Sequence, residues 1–275
     1  MPELPEVETI ARGVDARVRG ERIVEAWFGS HREPFKTPAR RQADGLEGRI
    51  ILSVHRTGKH IVAELGRERD GEPDAQWIVH LGMTGRLLVT RPEAPLEAHT
   101  HARLRLASGR ELRFVDPRRF GRLEFRELQK QSEFEAAGEE PLTVAAEEFA
   151  KLFRGRKLAI KAALLNQTLL TGVGNIYADE SLFRAGIRPR RAAGRLTRAE
   201  LERLRLALVE VLRHAIRLGG SSVSDYVDAE GVRGFFQLEH CVYQRTGEAC
   251  RRCGEAIRRV IVGGRSTHYC ARCQR

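Results

Sequence analysis

Apolar residues near the start of the chain follow a helical period. Between Val7 and Val18 they recur every three or four positions, which is the spacing of the buried face of an amphipathic helix. Pro5 fits the first turn of such a helix, where its missing N–H costs no hydrogen bond. Gly20 favours a stop. The pattern therefore predicts an opening helix that starts at Pro5 and ends before Gly20.

The pattern then changes to short runs in which apolar and polar residues alternate. Gly, Pro or charged turns separate the runs, and many short strands with frequent turns are typical of an antiparallel sandwich or barrel. We therefore expect an N-terminal β-sandwich domain with a flanking helix over residues 1–130. The predicted strands cover residues 22–28, 50–56, 60–65, 76–81, 86–90, 103–107, 111–115 and 121–125.

A polar, acidic stretch precedes the part of the chain that has helical periodicity. We interpret residues 131–141 as a linker and residues 142–240 as a helical domain that includes a loop at 219–234. The fold class is therefore α+β and multidomain. The predicted helices cover residues 143–153, 158–170, 175–185 and 197–218.

The last segment, residues 241–275, carries two CxxC pairs. Cys250 and Cys253 form the first pair, and after sixteen residues Cys270 and Cys273 form the second. This spacing predicts a site in which four thiolates bind one structural Zn²⁺. The residues between the pairs are enough for a β-hairpin with strands at 260–262 and 267–269. So small a segment folds largely through its metal, which makes it a zinc finger.

The charge of the chain favours a polyanionic partner. The formal net charge is +11, and the zinc segment alone has eight Arg against two Glu. An arginine-rich, metal-folded hairpin is typical of nucleic-acid binding, and the alternative is a purely structural zinc ribbon. No apolar run reaches the roughly 18–20 residues of a membrane span. Cys241 is the one cysteine left outside the zinc motif, so the sequence favours a reducing, cytoplasmic compartment.

The N-terminal residues carry candidate chemistry. Removal of Met1 would leave a secondary amine on Pro2, and amines attack electrophilic carbons such as a sugar C1′ to form iminium adducts. Glu3 would lie beside that amine, where it could move protons. Glu6 falls in the first helical turn, where the helix dipole favours the ionised carboxylate. On local chemistry alone this evidence is weak, because most chain ends are frayed.

Five sequence strings in one order give the chain a resemblance to a known family. It is similar over its whole length to bacterial formamidopyrimidine-DNA glycosylases, which belong to the helix–two-turn–helix superfamily. The strings are PELPEVET at 2–9, TGKH at 57–60, HLGMTG at 80–85, DPRRFG at 116–121 and GVGNIYADE at 172–180, followed by the zinc motif.

The resemblance implies a covalent mechanism. In this family the amine that matches Pro2 attacks C1′ of the damaged nucleoside, and the residue that matches Glu3 protonates the sugar ring oxygen. The iminium intermediate then permits β- and δ-elimination of the strand. The residue that matches Lys59 contacts phosphate beside the lesion. Glu6 matches an active-site carboxylate, to which we assign a positioning role.

The resemblance also implies how the chain would hold DNA. Met83, Arg118 and Phe120 match the residues that fill the gap left by an extruded base. Arg119 matches a position for structure or phosphate contact. Asn175, in the helix–two-turn–helix turn, and Arg265, just after the Gly263-Gly264 tip, match phosphate-binding residues.

The loop at 219–234 matches a segment that closes over the extruded base. Its candidate contact residues are Ser222, Ser224 and Tyr226, although many relatives carry Arg where this chain has Ser224. A second departure from the family is Glu139, where Pro is common.

The leading expectation is a monomeric DNA-repair enzyme that acts on double-stranded DNA. It would remove 8-oxoguanine and formamidopyrimidines and cleave the resulting abasic site, in a bacterial cytoplasm and in association with the nucleoid. The nearest alternative is the related endonuclease VIII, which removes oxidised pyrimidines. A third reading, a DNA-binding protein without catalysis, is disfavoured by the intact Pro2-Glu3 terminus.

Overall fold

The computed structural model describes residues 1–31, 34–222 and 226–275. These form two compact units. The first contains Met1–Glu135 and Gly219–Gly234, and the second contains Ala136–Leu218 and Phe235–Arg275. Ser224 lies outside the described residues, so its predicted contact with a lesion base stays a prediction.

The first unit begins with the predicted helix, α1 (Leu4–Val18), whose apolar stripe is buried. Two four-stranded antiparallel sheets follow, in the orders β1-β6-β7-β5 and β2-β3-β4-β8. Side chains from α1 and from both sheets form one hydrophobic core, which confirms the predicted sandwich. The strands are β1 (Ile23–Phe28), β2 (Ile50–Thr57), β3 (His60–Gly66), β4 (Ala75–His80), β5 (Arg86–Thr90), β6 (Thr100–Leu106), β7 (Glu111–Val115) and β8 (Arg122–Glu127).

One helix of the first unit was not predicted. Helix α2 (Ala39–Leu46) buries only Gln42 and Leu46, so it shows no apolar stripe. Gln42 Oε1 accepts a hydrogen bond from the Trp77 indole N–H at 3.1 Å, and Gln42 Nε2 donates to Thr37 O at 2.8 Å. The helix is therefore anchored by a polar side chain that hydrophobic periodicity does not detect.

The second unit contains helices α3 (Ala146–Phe153), α4 (Ile160–Leu164), α5 (Asn175–Ala185) and α6 (Arg198–Arg217). The predicted helix at 158–170 is wrong in its extent, because α4 ends at Leu164. Just beyond it, Asn166 Oδ1 accepts hydrogen bonds from the N–H of Thr168 at 3.0 Å and from its hydroxyl at 2.8 Å. Such local side-chain bonds compete with helix propagation.

The zinc segment forms the predicted hairpin from β9 (Arg258–Val262) and β10 (Arg265–Tyr269). Gly263 and Gly264, with φ of 56° and 73°, form the two-residue tip. Two consecutive positive φ values are the requirement of a tight hairpin turn, and glycine meets it without strain.

Part of the predicted linker is paired within the second unit. The N–H of Glu139 donates to Leu169 O, and Glu139 O accepts from the N–H of Thr171, both at 3.0 Å. A proline at this position would lack the first of these bonds. Among the described residues no helix is long and apolar enough to span a bilayer.

Candidate functional site

The N-terminal residues lie against the first turn of α1. Met1 is half exposed, whereas Pro2, Glu3 and Glu6 are buried. The N–H of Glu3 donates to Glu6 Oε2 at 2.8 Å, which satisfies a helix N-terminal donor that the helix itself leaves unpaired. This bond holds in place the peptide group that joins Pro2 to Glu3.

The second oxygen of the Glu6 carboxylate binds a segment distant in sequence. Glu6 Oε1 accepts the backbone N–H of Ser221 at 2.8 Å. Gly220 has a φ of 81°, and a Cβ there would come within 2.9 Å of Glu6 Oε1. Position 220 therefore requires glycine, both for its conformation and for the close approach of the carboxylate.

Ser222 and Tyr226 build the base of the predicted lesion-covering loop. The Tyr226 hydroxyl donates to Gly219 O at 3.0 Å, and its ring belongs to the core of the first unit. Ser222 Oγ donates to Tyr226 O at 3.0 Å and accepts from the N–H of Gly234 at 2.9 Å. Burial, and after it the charge of Glu6, raises the pKa of Tyr226, so its hydroxyl stays a neutral donor.

Lys59 occupies the tight turn between β2 and β3 and is buried. The neighbouring Arg56 pairs with Glu8 of α1 at 2.8 Å and donates to Gly58 O at 3.1 Å. These bonds tie the turn to the helix that carries the N-terminal residues. Burial, and after it the positive charge of Lys59, lowers the pKa of His80.

Met83, Arg118 and Phe120 are all exposed. Met83 is 42% and Phe120 48% exposed. The Arg118 guanidinium lies over the Phe120 ring, 4.8 Å from its centroid. Arg119 has a different environment: its Nη1 lies 3.2 Å from Nδ1 of His31.

In the second unit, Asn175 lies close to the backbone next to Arg265. Asn175 is the first residue of α5, and its Nδ2 donates to Ser266 O at 3.0 Å, next to the exposed Arg265. The tip of the zinc hairpin packs on α4, because a Cβ at Gly263 would lie 3.1 Å from Ala162 Cβ. The positive end of the helix dipole lies at the start of α5, and this end of a helix favours anions.

Gln167 shapes the glycine-framed turn before α5. Its Nε2 donates to Leu165 O at 3.0 Å and to Val173 O at 2.8 Å. Its Oε1 accepts from the N–H of Gly172 at 3.0 Å. Sequence analysis missed this residue, which closes the turn from the inside.

A buried ion pair connects α4 and α5 to the zinc hairpin. Lys161 Nζ lies 2.7 Å from Asp179 Oδ1, and both side chains are fully buried. Lys161 also donates to Ser266 O at 2.8 Å and to Thr267 Oγ1 at 2.9 Å. Asp179 Oδ2 accepts the N–H of His268 at 2.8 Å. The strand that carries Arg265 is thus held by charge-assisted bonds to the helix that carries Asn175.

Glu180 makes a second connection of this kind. Its Oε1 accepts the consecutive backbone N–H groups of Cys241, Val242 and Tyr243 at 3.0, 2.9 and 2.9 Å. The roles of Asp179 and Glu180 were missed by sequence analysis. Their signal was two adjacent acids within a helix whose other residues are mostly apolar and buried.

The four motif cysteines fit a single metal ion. Their sulfur atoms all lie within 4.8 Å of one another, with Cys250 and Cys273 at 3.9 Å and Cys253 and Cys270 at 3.5 Å. A tetrahedron with Zn–S bonds of 2.3 Å has edges of about 3.8 Å. The donor set and its spacing therefore match one structural Zn²⁺, as predicted.

Three family profiles match the chain in order. The profile of the formamidopyrimidine-DNA glycosylase N-terminal domain matches residues 1–123. That of the formamidopyrimidine-DNA glycosylase H2TH domain matches residues 137–227. That of the zinc finger found in FPG and IleRS matches residues 247–275.

Proteins similar to the chain align with it along its full length. The formamidopyrimidine-DNA glycosylase of Solibacter usitatus is 48% identical over 280 residues, covering 100% of both chains. That of Desulfitobacterium hafniense is 44% identical over 282 residues with the same coverage. A Lactococcus lactis Fpg variant in complex with Fapy-dG-containing DNA has a TM-score of 0.88 and 34% identity over 100% of both chains. The Lactococcus lactis Fpg complex with DNA containing an abasic site has a TM-score of 0.87 and 35% identity over 99% of both chains.

Proposed function

The chain belongs to the formamidopyrimidine-DNA glycosylase family, and we propose that it excises oxidised purines from double-stranded DNA and then cleaves the strand at the abasic site. Its substrates would be 8-oxoguanine and formamidopyrimidines. The observation that carries the proposal is the buried Pro2-Glu3 terminus, joined through Glu6 to the loop segment at Ser221. DNA binding alone does not require a buried amine-bearing residue beside a buried carboxylate at the start of the chain.

Catalysis would begin at the Pro2 nitrogen once Met1 is removed. The amine lone pair forms a bond to C1′, the glycosidic bond breaks, and its electron pair leaves with the base, which takes up the proton that the Pro2 nitrogen loses. Glu3 donates a proton to the ring oxygen as the C1′–O bond opens, which leaves an iminium ion. Loss of the 2′ proton to a base expels the 3′ phosphate, and a second elimination expels the 5′ phosphate. Water activated by a carboxylate would remove the base without cutting the strand.

Glu6 and Lys59 would support this step in different ways. Both Glu6 oxygens accept backbone N–H groups, which supports a positioning role and not proton transfer. Lys59 is the cation of a turn tied to α1, and we assign it the phosphate beside the lesion.

Extrusion of the base is assigned to exposed residues of the first unit. Met83 and Phe120 would act as apolar wedges, and Arg118 would bind the orphaned partner base. Ser222, Ser224 and Tyr226 belong to the loop that would cover the extruded base. The hydrogen bonds of Ser222 and Tyr226 favour a role in anchoring that loop.

DNA phosphates would be bound by Asn175, Arg265 and Arg119. The first two are held together by Ser266, and the zinc site keeps the hairpin folded. We assign residues 1–130 to catalysis, 131–141 to a linker, 142–240 to the helix–two-turn–helix domain and 241–275 to the zinc finger. The enzyme would act as a monomer in the cytoplasm, in association with the nucleoid.

Borohydride trapping tests the reaction and its substrate class. The protein is mixed with a duplex containing 8-oxoguanine opposite cytosine, or thymine glycol opposite adenine, and reduced. Faster trapping on the first duplex supports the proposal, faster trapping on the second supports the endonuclease VIII alternative, and trapping on neither leaves a DNA-binding protein. Rates must be compared, because Lactococcus lactis Fpg has itself been solved with DNA containing an oxidised pyrimidine.

The nucleophile is tested separately. Peptide sequencing of the reduced adduct should find the sugar on Pro2. A preparation that keeps Met1, verified by mass spectrometry, should bind the abasic duplex but form no adduct. An adduct on any other residue would refute the assignment to Pro2.

A further inference from the structure

A buried carboxylate lies at the start of the loop that carries Arg118 and Phe120. Asp116 is fully buried, and its Oδ2 accepts the N–H of Gly121 at 2.8 Å. Its Oδ1 accepts the N–H of Arg118 at 3.3 Å. These two bonds close the loop around the carboxylate and determine the backbone position of Arg118.

The same carboxylate binds the turn that carries Met83. The Thr84 hydroxyl lies 2.6 Å from Asp116 Oδ1. In this bond the hydroxyl is the donor and the carboxylate oxygen is the acceptor. This bond joins Thr84, which follows Met83, to Asp116, which lies two positions before Arg118.

The two segments also meet through their backbones. Gly82 has a φ of 62°, and a Cβ there would lie 2.5 Å from the carbonyl carbon of Phe120. Asp116 itself is held from the other side, because His101 Nε2 lies 2.9 Å from Asp116 O. The loop of Arg118 is therefore anchored to the sheet. The hydrogen bond from the Thr84 hydroxyl to Asp116 then aligns the Met83 turn with this loop.

This alignment has a chemical consequence for the orphaned base. A guanidinium has donors only. The Watson–Crick edge of cytosine offers two adjacent acceptors, O2 and N3, whereas that of adenine offers the acceptor N1 beside an amino donor. Arg118 therefore distinguishes the two bases only if Met83 holds the base stack at a constant distance from it.

We propose that Thr84 and Asp116 are positioning residues whose hydrogen bond sets the preference of the enzyme for cytosine opposite the lesion. This inference rests on the proposed function. It concerns the choice of the opposite base and not the covalent chemistry at Pro2.

The test compares Thr84→Val with Thr84→Ser. Valine keeps the shape and branching of threonine but has no hydroxyl, whereas serine keeps the donor. Single-turnover excision of 8-oxoguanine is measured opposite cytosine and opposite adenine. The ratio of the two rates should fall by roughly 3- to 10-fold in Thr84→Val, within the range expected for the loss of one hydrogen bond. In Thr84→Ser it should stay within about 2-fold of the unaltered enzyme.

Two further measurements separate the possible failures. Thermal unfolding and borohydride trapping on an abasic duplex show whether each variant is folded and chemically competent. An unchanged ratio in a folded Thr84→Val protein overturns the inference, as does an unaltered enzyme that has no opposite-base preference. Asp116→Asn provides a second variant, and it too should lower the ratio. Absence of excision and trapping by the unaltered enzyme would instead count against the proposed function.

Discussion

The Glu6 carboxylate accepts a hydrogen bond from the backbone N–H of Ser221 at 2.8 Å, across 215 positions of sequence. Its other oxygen binds the N–H of Glu3, the residue next to the candidate nucleophile. One side chain therefore connects the N-terminal residues to the first residues of the loop proposed to cover the lesion. Changes at Glu6 should affect both at once.

Replacement of Glu6 by Gln should impair base excision. The amide offers a single acceptor oxygen, so one of the two buried N–H groups faces an NH₂ donor, which costs about 1–3 kcal/mol. We expect single-turnover excision of 8-oxoguanine to slow by roughly 5- to 150-fold, and trapping at a preformed abasic site, which has no base to cover, to slow less. Glu147→Gln, an exposed change on α3, is the matched control. Equal activity of the two variants would contradict the positioning role.

Loss of zinc should abolish tight DNA binding while the first unit stays folded. Cys270→Ser removes a buried ligand, and the hairpin that carries Arg265 depends on that site. Both tryptophans of the chain, Trp27 and Trp77, lie in the first unit, so their fluorescence reports its folding alone. Fluorescence anisotropy gives the DNA affinity, and metal analysis gives the zinc content.

The control for this experiment is the fifth cysteine. Cys241 is outside the metal cluster, and its contact with Glu180 uses the backbone N–H. Cys241→Ser should therefore keep both zinc and affinity. Undiminished affinity of a zinc-free Cys270→Ser protein would show that the finger is not needed for binding.

Replacement of Lys161 by Met should destabilise the second unit. It leaves the Asp179 carboxylate buried without its cation, and removal of one partner of a buried ion pair costs about 3–5 kcal/mol. DNA affinity should fall as well, because Lys161 holds Ser266, which lies between Arg265 and the Asn175 amide. Hydrogen exchange of the α5 amides, measured by mass spectrometry, should become faster and so report the local loss of stability. Lys151→Met, at a half-exposed lysine, should leave exchange unchanged.

The first unit should lose stability on acidification partly through His60. Burial, and after it the charge of His80, lowers the pKa of His60 from 6.5 to about 4. Between these values the unfolded chain binds a proton that the folded chain excludes, so stability is fully present above pH 6.5 and is lost as the pH falls toward 4. His60→Phe should remove up to about 1.4 kcal/mol per pH unit from that slope. Tryptophan-monitored urea unfolding at several pH values measures it.

An opposite effect is expected at His55. A hydrogen bond to Glu64 raises the pKa of His55, so protonation of this residue favours the folded state below that pKa. That contribution is complete below pH 6.5 and is lost as the pH rises through the raised pKa, so replacement by Gln should flatten the stability profile above pH 6.5 and leave the acid-induced loss below it unchanged. For His60, the assignment would be contradicted if the unfolding free energies of the unaltered protein and of His60→Phe varied with pH in parallel.

Much of the fold could be predicted from the chain because its periodicities are regular. Alternation located the eight strands of the sandwich, and the apolar stripe located α1. Prediction was poorest where polar side chains determine the backbone. Helix α2 rests on Gln42, and α4 stops where Asn166 binds Thr168. A buried polar anchor resembles a surface residue in a hydrophobic pattern, so its effect is visible only when its partner is known.

The sequence by itself determined the two periodicities, the cysteine ligands, the positive charge and the motif strings that identify the family. Only the tertiary structure decided what the buried carboxylates do. Glu6 binds the N–H of Ser221, Asp116 binds those of Arg118 and Gly121, and Glu180 binds those of residues 241–243. Every residue except proline has a backbone N–H, so such partners leave no mark on the sequence. Folding selects them by bringing one particular donor to a carboxylate that water no longer reaches.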